Sequence, residues 1–519
     1  MAVPEGALDR RAALLTYGAV AALTCVTLGL GAFDLGARSI WLDEGASYAI
    51  ASQHGSAFFS AVAHDGGNLA AYYLLLHGVI LLFGSGTIVL RLPALLAAAA
   101  AVPLTFAIGA KLMRRRVGLM GAALLSVSLP LIYWGQMARG YTLGTALSAA
   151  SCLAFICAVR SGRRRCLVWW VLFSVLLCYT LLEGALLVVA QLVTLLLPGT
   201  EPTGRRRLLL STPLIAFGCV PLGLMALHRG NSQLFWLARP GSATVRSALA
   251  FLSGAYYQRR ESPAQGLLIA LFLSMVVVAL LLVVADLRAH RRAEAYGTAF
   301  VLSVAAVMPL CSYLFSLFST PIFIDRYFAP CLPGAALVAG VVCARLRPPP
   351  LGVAACAGLC ALRLGQIFPI YGLPVDDWRA ASSYVLSTAR PGDCVAFFAN
   401  DGYVDFSYYL SHRPSSFPAA GIVPRPVLPA RPFGGDPAII EQYHTLSPAQ
   451  ILALRPGCDR VFMVESHDGS RIGTTASRHI RGEFLGMQAG FDRAYSQNTV
   501  AHFLNVTVHL YFGPRAVGQ

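Results

Sequence analysis

Leu69-Ala70-Ala71-Tyr72-Tyr73-Leu74-Leu75-Leu76-His77-Gly78-Val79-Ile80-Leu81-Leu82-Phe83 is apolar enough to enter a membrane, yet at 15 residues it is short for crossing one. A helical crossing takes about 17 to 25 residues. Each crossing reverses the side of the chain, so the reading of this run sets the side of everything after it. Runs of spanning length occur at about 12–33, 87–110, 117–134, 140–159, 166–182, 184–199, 208–227, 264–284, 298–318, 328–344 and 350–372, about eleven in all. Between them lie basic clusters: Lys111 with Arg114 to Arg116, Arg160 with Arg163 to Arg165, Arg205 to Arg207, Arg288 with Arg291 and Arg292, and Arg345 with Arg347. With Leu69 to Phe83 left out, every cluster falls in an alternate loop and shares a side with Arg10 and Arg11, which the positive-inside rule assigns to the cytoplasm. Counting the short run as a crossing would put Lys111 to Arg116 outside and shift every later cluster with it. The run is therefore expected to be a juxtamembrane helix on the outer surface, with Tyr72, Tyr73 and His77 as its interfacial groups.

Composition agrees with a polytopic membrane protein. Of 519 residues, 56% are hydrophobic and only 12% are charged, about half the charge fraction of a soluble protein. A net charge of +16 would suit a nucleic-acid partner, but the arginines stand in short clusters between apolar runs instead of along one basic face, which excludes that class. The run from Ala12 to Phe33 is too long for a signal-peptide core and is expected to stay as the first span. Eleven of the 13 cysteines lie in or beside apolar runs, where cysteine acts as a small hydrophobe, and none shows metal-type spacing. Cys394 and Cys458 stand apart, each just before a strand-like run, and can form a disulfide if their segment is extracytoplasmic. Arg363, inside the last apolar run, is the one deep charge.

Beyond residue 372 the pattern changes. Helical periodicity over Asp376 to Thr388, Gly402 to Ser411 and Pro448 to Leu454 alternates with strand-like runs at Cys394 to Ala399, Arg460 to Glu465 and near Val500 to Phe512. Phe417 to Pro437 is proline-rich and reads as a loop. The expected fold is a polytopic α-helical membrane module over residues 1–372, with a first external loop at about 34–86 carrying juxtamembrane helices, followed by a small extracytoplasmic α/β domain over 373–519.

With the sides assigned, the external loops hold a consistent set of polar groups. Asp43 and Glu44 lie just past the first span, where carboxylates are costly. His64 and Asp65 follow in the same loop, Arg91 opens the second span, Arg139 and Tyr141 lie in the loop of Tyr133 to Tyr141, and Arg326 and Tyr327 lie in that of Ser319 to Tyr327. A carboxylate accepts a proton from an attacking hydroxyl, and an arginine fork grips the oxygens of a departing phosphate. Each group also has a plainer role open to it. Arg139 and Arg326 can snorkel from helix ends, His64 can be structural, Arg91 can cap its helix or pair with an external acid, and Glu183 in its short turn can be either a buried acid or a solvated end. Asn505-Val506-Thr507 fits a glycosylation sequon, a short and common pattern that carries little weight.

The order Trp41-Leu42-Asp43-Glu44, Asp65 ahead of Tyr72-Tyr73-Leu74-Leu75-Leu76-His77, Arg91-Leu92-Pro93, Tyr133-Trp134-Gly135-Gln136-Met137-Ala138-Arg139-Gly140-Tyr141 and Arg326-Tyr327 resembles the GT-C glycosyltransferases. The protein O-mannosyltransferase and bacterial aminoarabinose transferase types are the nearest in pattern. The resemblance implies a polyprenyl-phosphate sugar as donor and a glycan, lipid or protein acceptor on the outer face. It makes Asp43, with Glu44 beside it, the catalytic acid of the first external loop, and Arg139 and Arg326 the contacts to the lipid phosphate. His64, Asp65, Arg91, Tyr141 and Tyr327 are the remaining candidate substrate contacts. Asp376-Asp377-Trp378-Arg379 is similar to the start of the external domain in bacterial members. Two departures stand out: Gly66-Gly67-Asn68-Leu69-Ala70-Ala71 replaces the His-Pro-Pro that often precedes the Tyr-Tyr-Leu run, and Met137 replaces a glutamate of the Gln-Glu-Ala-Arg segment.

The expected reaction is an inverting displacement in the plasma membrane of a bacterium. A single phosphate held by arginines does not require a divalent ion, so cofactor use and any metal ligands stay open. A transporter or lipid flippase with the same number of spans is the alternative. Such proteins carry paired repeats and ionisable groups near the midplane, whereas the acids here lie at the outer ends of the spans. A silent scaffold of envelope assembly is the third reading. The sugar and the acceptor are left open.

Overall fold

The computed structural model describes residues 5–197, 202–230, 234, 237–255, 263–412, 422–429, 445–470 and 475–515. In chain order the described helices are α1 (Glu5–Ala32), α2 (Leu42–Ala51), α3 (Ser56–His64), α4 (Ala70–Phe83), α5 (Thr87–Leu112), α6 (Arg115–Ser126), α7 (Leu129–Gly135), α8 (Tyr141–Ser161), α9 (Arg164–Thr180), α10 (Gly184–Val193), α11 (Pro202–Gly218), α12 (Val220–Arg229), α13 (Ser242–Ser253), α14 (Pro263–Arg288), α15 (Arg292–Phe318), α16 (Leu332–Arg345), α17 (Pro349–Ile367), α18 (Trp378–Thr388), α19 (Gly402–Ser411), α20 (Pro448–Leu454) and α21 (Thr475–Ala494). The strands are β1 (Cys394–Phe398), β2 (Arg425–Val427), β3 (Arg460–Ser466), β4 (Tyr495–Phe503) and β5 (Val506–Pro514). The chain divides into two compact units. One holds residues 1–35, 65–79 and 89–371; the other holds 36–64, 80–88 and 372–519.

The first unit is a bundle of apolar helices and makes this an integral membrane protein. Among the described residues seven helices are long and apolar enough to cross a bilayer, or nine if the bent pairs α6–α7 and α11–α12 each count as one span. The helices α9, of 17 residues, and α10 with its 3-10 turn cover the other two of the eleven apolar runs and fall short of that length. Small residues let the backbones meet: a Cβ on Gly340 of α16 would lie 2.8 Å from the Gly121 nitrogen of α6, the close approach that membrane helices use in place of a hydrophobic driving force.

All five basic clusters gather at one end of this unit. Arg345 bonds Asp286 at 2.6 Å and Glu294 at 2.7 Å, Arg291 bonds Asp286 at 2.8 Å, and Arg114 bonds Glu294 at 3.0 Å. Arg160 donates to the Lys111 and Leu112 carbonyls and Arg207 to that of Gly162. At the opposite end, Arg91 Nη1 donates to the Leu35 carbonyl at 2.7 Å, tying the chain after α1 to the first turns of α5. The segment between them thus leaves and returns at one end. Within that segment α4 has 14 residues, a length of only about 21 Å, which is short for a crossing.

The deep Arg363 has a local cause. The chain bends by 54° between α6 and α7, where Ser128 N–H reaches the Leu125 carbonyl and not that of Leu124. Arg363 Nη1 takes the freed Leu124 oxygen at 2.6 Å. A backbone acceptor opened by a helix break is how a buried guanidinium is satisfied within a bundle. Two connections hold helical structure: that from His228 to Pro263 contains α13, and that from Ser319 to Tyr327 runs into a 3-10 helix at Asp325–Cys331.

The second unit centres on a five-stranded sheet of order β2-β1-β3-β5-β4. Strand β1 runs parallel to β2 and β3, while β5 is antiparallel to β3 and β4. Val461, Met463, Phe484, Phe491 and Tyr511 lie in its buried core. Cys394 and Cys458 form a disulfide between the start of β1 and the turn before β3, and Arg460 grips Asp393 through Nε at 3.0 Å and Nη2 at 2.7 Å. Two elements escaped sequence reading: β2, inside the stretch read as a proline-rich loop whose remainder lies largely outside the described residues, and α21. The latter had a visible signal, since Ile480, Phe484, Met487 and Phe491 recur at helical spacing and all are buried. The Asn505 amide of the sequon donates to the Val375 carbonyl at 2.7 Å, an internal use of that side chain.

Candidate active site

The carboxylate part belongs to the second unit. Trp41 is extended and caps α2, which puts Asp43 and Glu44 in the first helical turn, where the helix dipole favours negative charge. Glu44 has no exposed surface and Asp43 is half-buried. Ser47 Oγ returns to the Asp43 carbonyl at 2.9 Å. The approach to α2 is tied down by residues far along the chain. Arg379 donates to the carbonyls of Ala37 at 2.9 Å, Gly36 at 3.0 Å and Arg38 at 3.2 Å, and its backbone N–H donates to Ser39 Oγ. The Tyr409 hydroxyl accepts the Ile40 N–H at 2.7 Å and lies 3.1 Å from Ser39 Oγ.

The helix itself packs on α19. Tyr48 meets the ring of Tyr408 edge-on at 5.1 Å, and Tyr408 stacks on His412 at 4.4 Å. Asp405 of α19 lies against Gly45, where an added Cβ would be 3.0 Å from Asp405 Cγ. Burial, then repulsion from Asp401, Asp376, Glu44 and Asp43, pushes the Asp405 carboxyl well above the ordinary carboxylate range. The sequence marks Arg379 only as part of the Asp376–Arg379 run, and none of Asp405, Tyr408 or Tyr409 is singled out, because each acts on α2 through the tertiary fold. His64 closes α3 in this same unit, half-buried.

The arginine part belongs to the first unit, at the end opposite the basic clusters, since Tyr141 opens the helix that Arg160 closes and Tyr327 precedes the helix that Arg345 closes. Arg139 lies in the turn between α7 and α8, its guanidinium 5.8 Å from the Tyr141 ring centre; Arg326 stands 6.0 Å from that of Tyr327. The two tyrosine rings are 6.4 Å apart, and Tyr141 is also edge-on to Trp134 at 4.4 Å. Thr145 and Ser148 of α8 donate to the carbonyls of Ala329 and Pro330 at 3.0 Å and 2.6 Å, which holds the 3-10 segment of Tyr327 against the helix of Tyr141. Arg139, Arg326, Tyr141 and Glu183 all lie within electrostatic reach of the Tyr327 hydroxyl. Asp325, beside Arg326, accepts its N–H at 2.6 Å and the Ser247 hydroxyl.

Two further candidates adjoin this group. Gly140 is hemmed in by the segment of Asp65 and by the end of α9: a Cβ there would lie 3.1 Å from Tyr72 Cβ and 3.3 Å from Thr180 Cγ2. Asp65 itself accepts the Tyr73 hydroxyl at 2.9 Å. Glu183, in the turn after α9, has its Oε2 enclosed without a hydrogen-bond partner among the described residues, and burial pushes its carboxyl up to about 7. Arg91 is buried, with one of its bonds spent on the Leu35 carbonyl. Among the described residues no three His, Cys, Asp or Glu side chains gather as metal ligands do.

No protein-family model matches this sequence, and no curated protein does. Solved structures do match. ArnT from Cupriavidus metallidurans bound to undecaprenyl phosphate aligns over 96% of this chain and 99% of its own, with a TM-score of 0.56 at 13% identity. The archaeal oligosaccharyltransferase AglB from Archaeoglobus fulgidus, in complex with an inhibitory peptide and a dolichol-phosphate, aligns over 95% of this chain and 74% of its own, with a TM-score of 0.52 at 9% identity. The chain has the GT-C glycosyltransferase fold. The same ArnT in its apo state aligns with a TM-score of 0.54. In this fold the segment after α1 and the turns after α7 and before α16 are the segments that carry Asp43, Arg139 and Arg326.

Proposed function

We propose that this protein is an inverting glycosyltransferase that moves a sugar from a polyprenyl-phosphate donor to an acceptor hydroxyl on the outer face of a bacterial plasma membrane. The observation that carries it is the gathering of Arg139 and Arg326, from separate loops, around Tyr141 and Tyr327 at the end of the bundle remote from the basic clusters. Planar guanidinium forks suit a phosphate monoester, and the solved neighbours hold undecaprenyl phosphate and dolichol-phosphate.

Asp43 takes the proton of the acceptor hydroxyl as its oxygen bonds to the anomeric carbon, and the bond from that carbon to the phosphate oxygen breaks. A carboxylate is a weak base at neutral pH, so the proton moves late in the step. Arg139 and Arg326 stabilise the charge collecting on the leaving phosphate. The second unit is the extracytoplasmic domain and holds α2 in place. Asp43→Asn keeps the shape of the side chain and removes the base. Assayed in membranes with a polyprenyl-phosphate sugar, it is expected to lose transfer while still binding the lipid donor; full transfer by this variant would overturn the assignment.

A further inference from the structure

One titratable group in the second unit has no part in that mechanism. Asp405 has no exposed surface, and neither of its carboxyl oxygens has a hydrogen-bond partner among the described residues. It is wedged between its own helix and the first turns of α2, close enough to the Gly45 backbone that no larger residue fits there without displacing it. The acids around it come from three places: Asp43 and Glu44 on α2, Asp376 ahead of α18, and Asp401 at the start of α19. His467, after β3, faces Asp376 at 3.9 Å. An ionised carboxylate here would be an unpaired buried charge among like charges, which such a group avoids by keeping its proton. Of those acids Asp43 has a role in the proposed step, Glu44 adjoins it, and Asp376 lies 3.9 Å from His467.

We propose that Asp405 is the positioning residue of the Asp43–Glu44 pair: as a neutral acid wedged against Gly45 it sets the first turn of α2, and ionisation of Asp405 drives that turn away. Its link to catalysis rests on the role of Asp43 proposed above; its link to the placement of α2 does not. The consequence is an alkaline limit on activity that belongs to a residue outside the reacting groups.

The test uses the full chain in detergent or membranes, with a polyprenyl-phosphate sugar, across pH. Asp405→Ala is expected to lower kcat by up to about a hundredfold, as a misplaced reacting group does, with KM for the donor unchanged. Asp405→Asn, which keeps the shape and is always neutral, is expected to restore kcat and to remove the alkaline fall shown by the wild type. An Asn variant as poor as the Ala variant, or one with the wild-type alkaline fall, would overturn the proposal. Melting temperature against pH gives a second readout that needs no activity. The wild type is expected to lose more stability than Asp405→Asn as pH rises, and equal slopes would count against the proposal. Should Asp43→Asn prove active, the base assignment fails while the melting comparison still decides the role of Asp405.

Discussion

Removing one oxygen from Tyr409 tests how α2 is held. In Tyr409→Phe the ring stays in its buried place, and the hydroxyl that accepts the Ile40 N–H at 2.7 Å and meets Ser39 Oγ at 3.1 Å is gone. Ile40 has no exposed surface, so water does not replace the lost acceptor. An unsatisfied buried N–H costs about 1–3 kcal/mol. Ser39 contributes little to the loss, because its hydroxyl keeps the Ile40 carbonyl and the Arg379 N–H, both at 3.0 Å. For a folding unit of about 150–250 residues, each kcal/mol lowers the melting temperature by about 2–4 °C, so thermal unfolding of the detergent-solubilised chain should shift down by about 2–12 °C. Ile40 directly precedes the cap of α2, and a displacement of about 1 Å at a reacting group can cost about a hundredfold in rate. Transfer should therefore fall with KM for the donor little changed. A variant with both the wild-type melting temperature and the wild-type kcat would refute the idea that this hydroxyl anchors the approach to Asp43.

Glu183→Gln tests the enclosed acid beside the arginines. The folded chain holds the Glu183 proton up to about 7, against 4.5 ordinarily, so the two chains should match in stability below pH 4.5. As pH rises through about 7 the wild type should lose stability that the Gln variant keeps, and parallel curves of melting temperature against pH would exclude a raised Glu183. Cys394→Ser opens a loop of 64 residues, for which chain entropy gives about 4 kcal/mol. The variant should melt lower and no longer respond to reductant, and an unchanged melting temperature would show that the bridge adds nothing to stability.

The membrane architecture was legible because it is written in long-period composition. Apolar runs, arginine clusters in alternate loops and one run too short to cross are properties of a linear chain meeting a bilayer, and the clusters do meet at one end through Arg114, Glu294, Arg345 and Asp286. Most strands and helices of the C-terminal part, β2 and α21 apart, were legible from local periodicity for the same reason. The helix α13, in the long connection before Pro263, was not legible, because at 12 residues it is too short to stand out as an apolar run.

The linear chain by itself determined which side chains can carry a proton or a phosphate: Asp43, Glu44, Arg139 and Arg326 declare their chemistry through type and position. Only the tertiary structure decided what surrounds them. Residues 36–64 and 80–88 proved to share a compact unit with residues after 372, so that Arg379, Tyr409 and Asp405, more than 300 residues away in sequence, set the place and the electrostatics of α2. The physical reason is that a carboxyl group's proton affinity and a helix's position depend on burial and on neighbours brought together by folding, and neither leaves a trace in local composition.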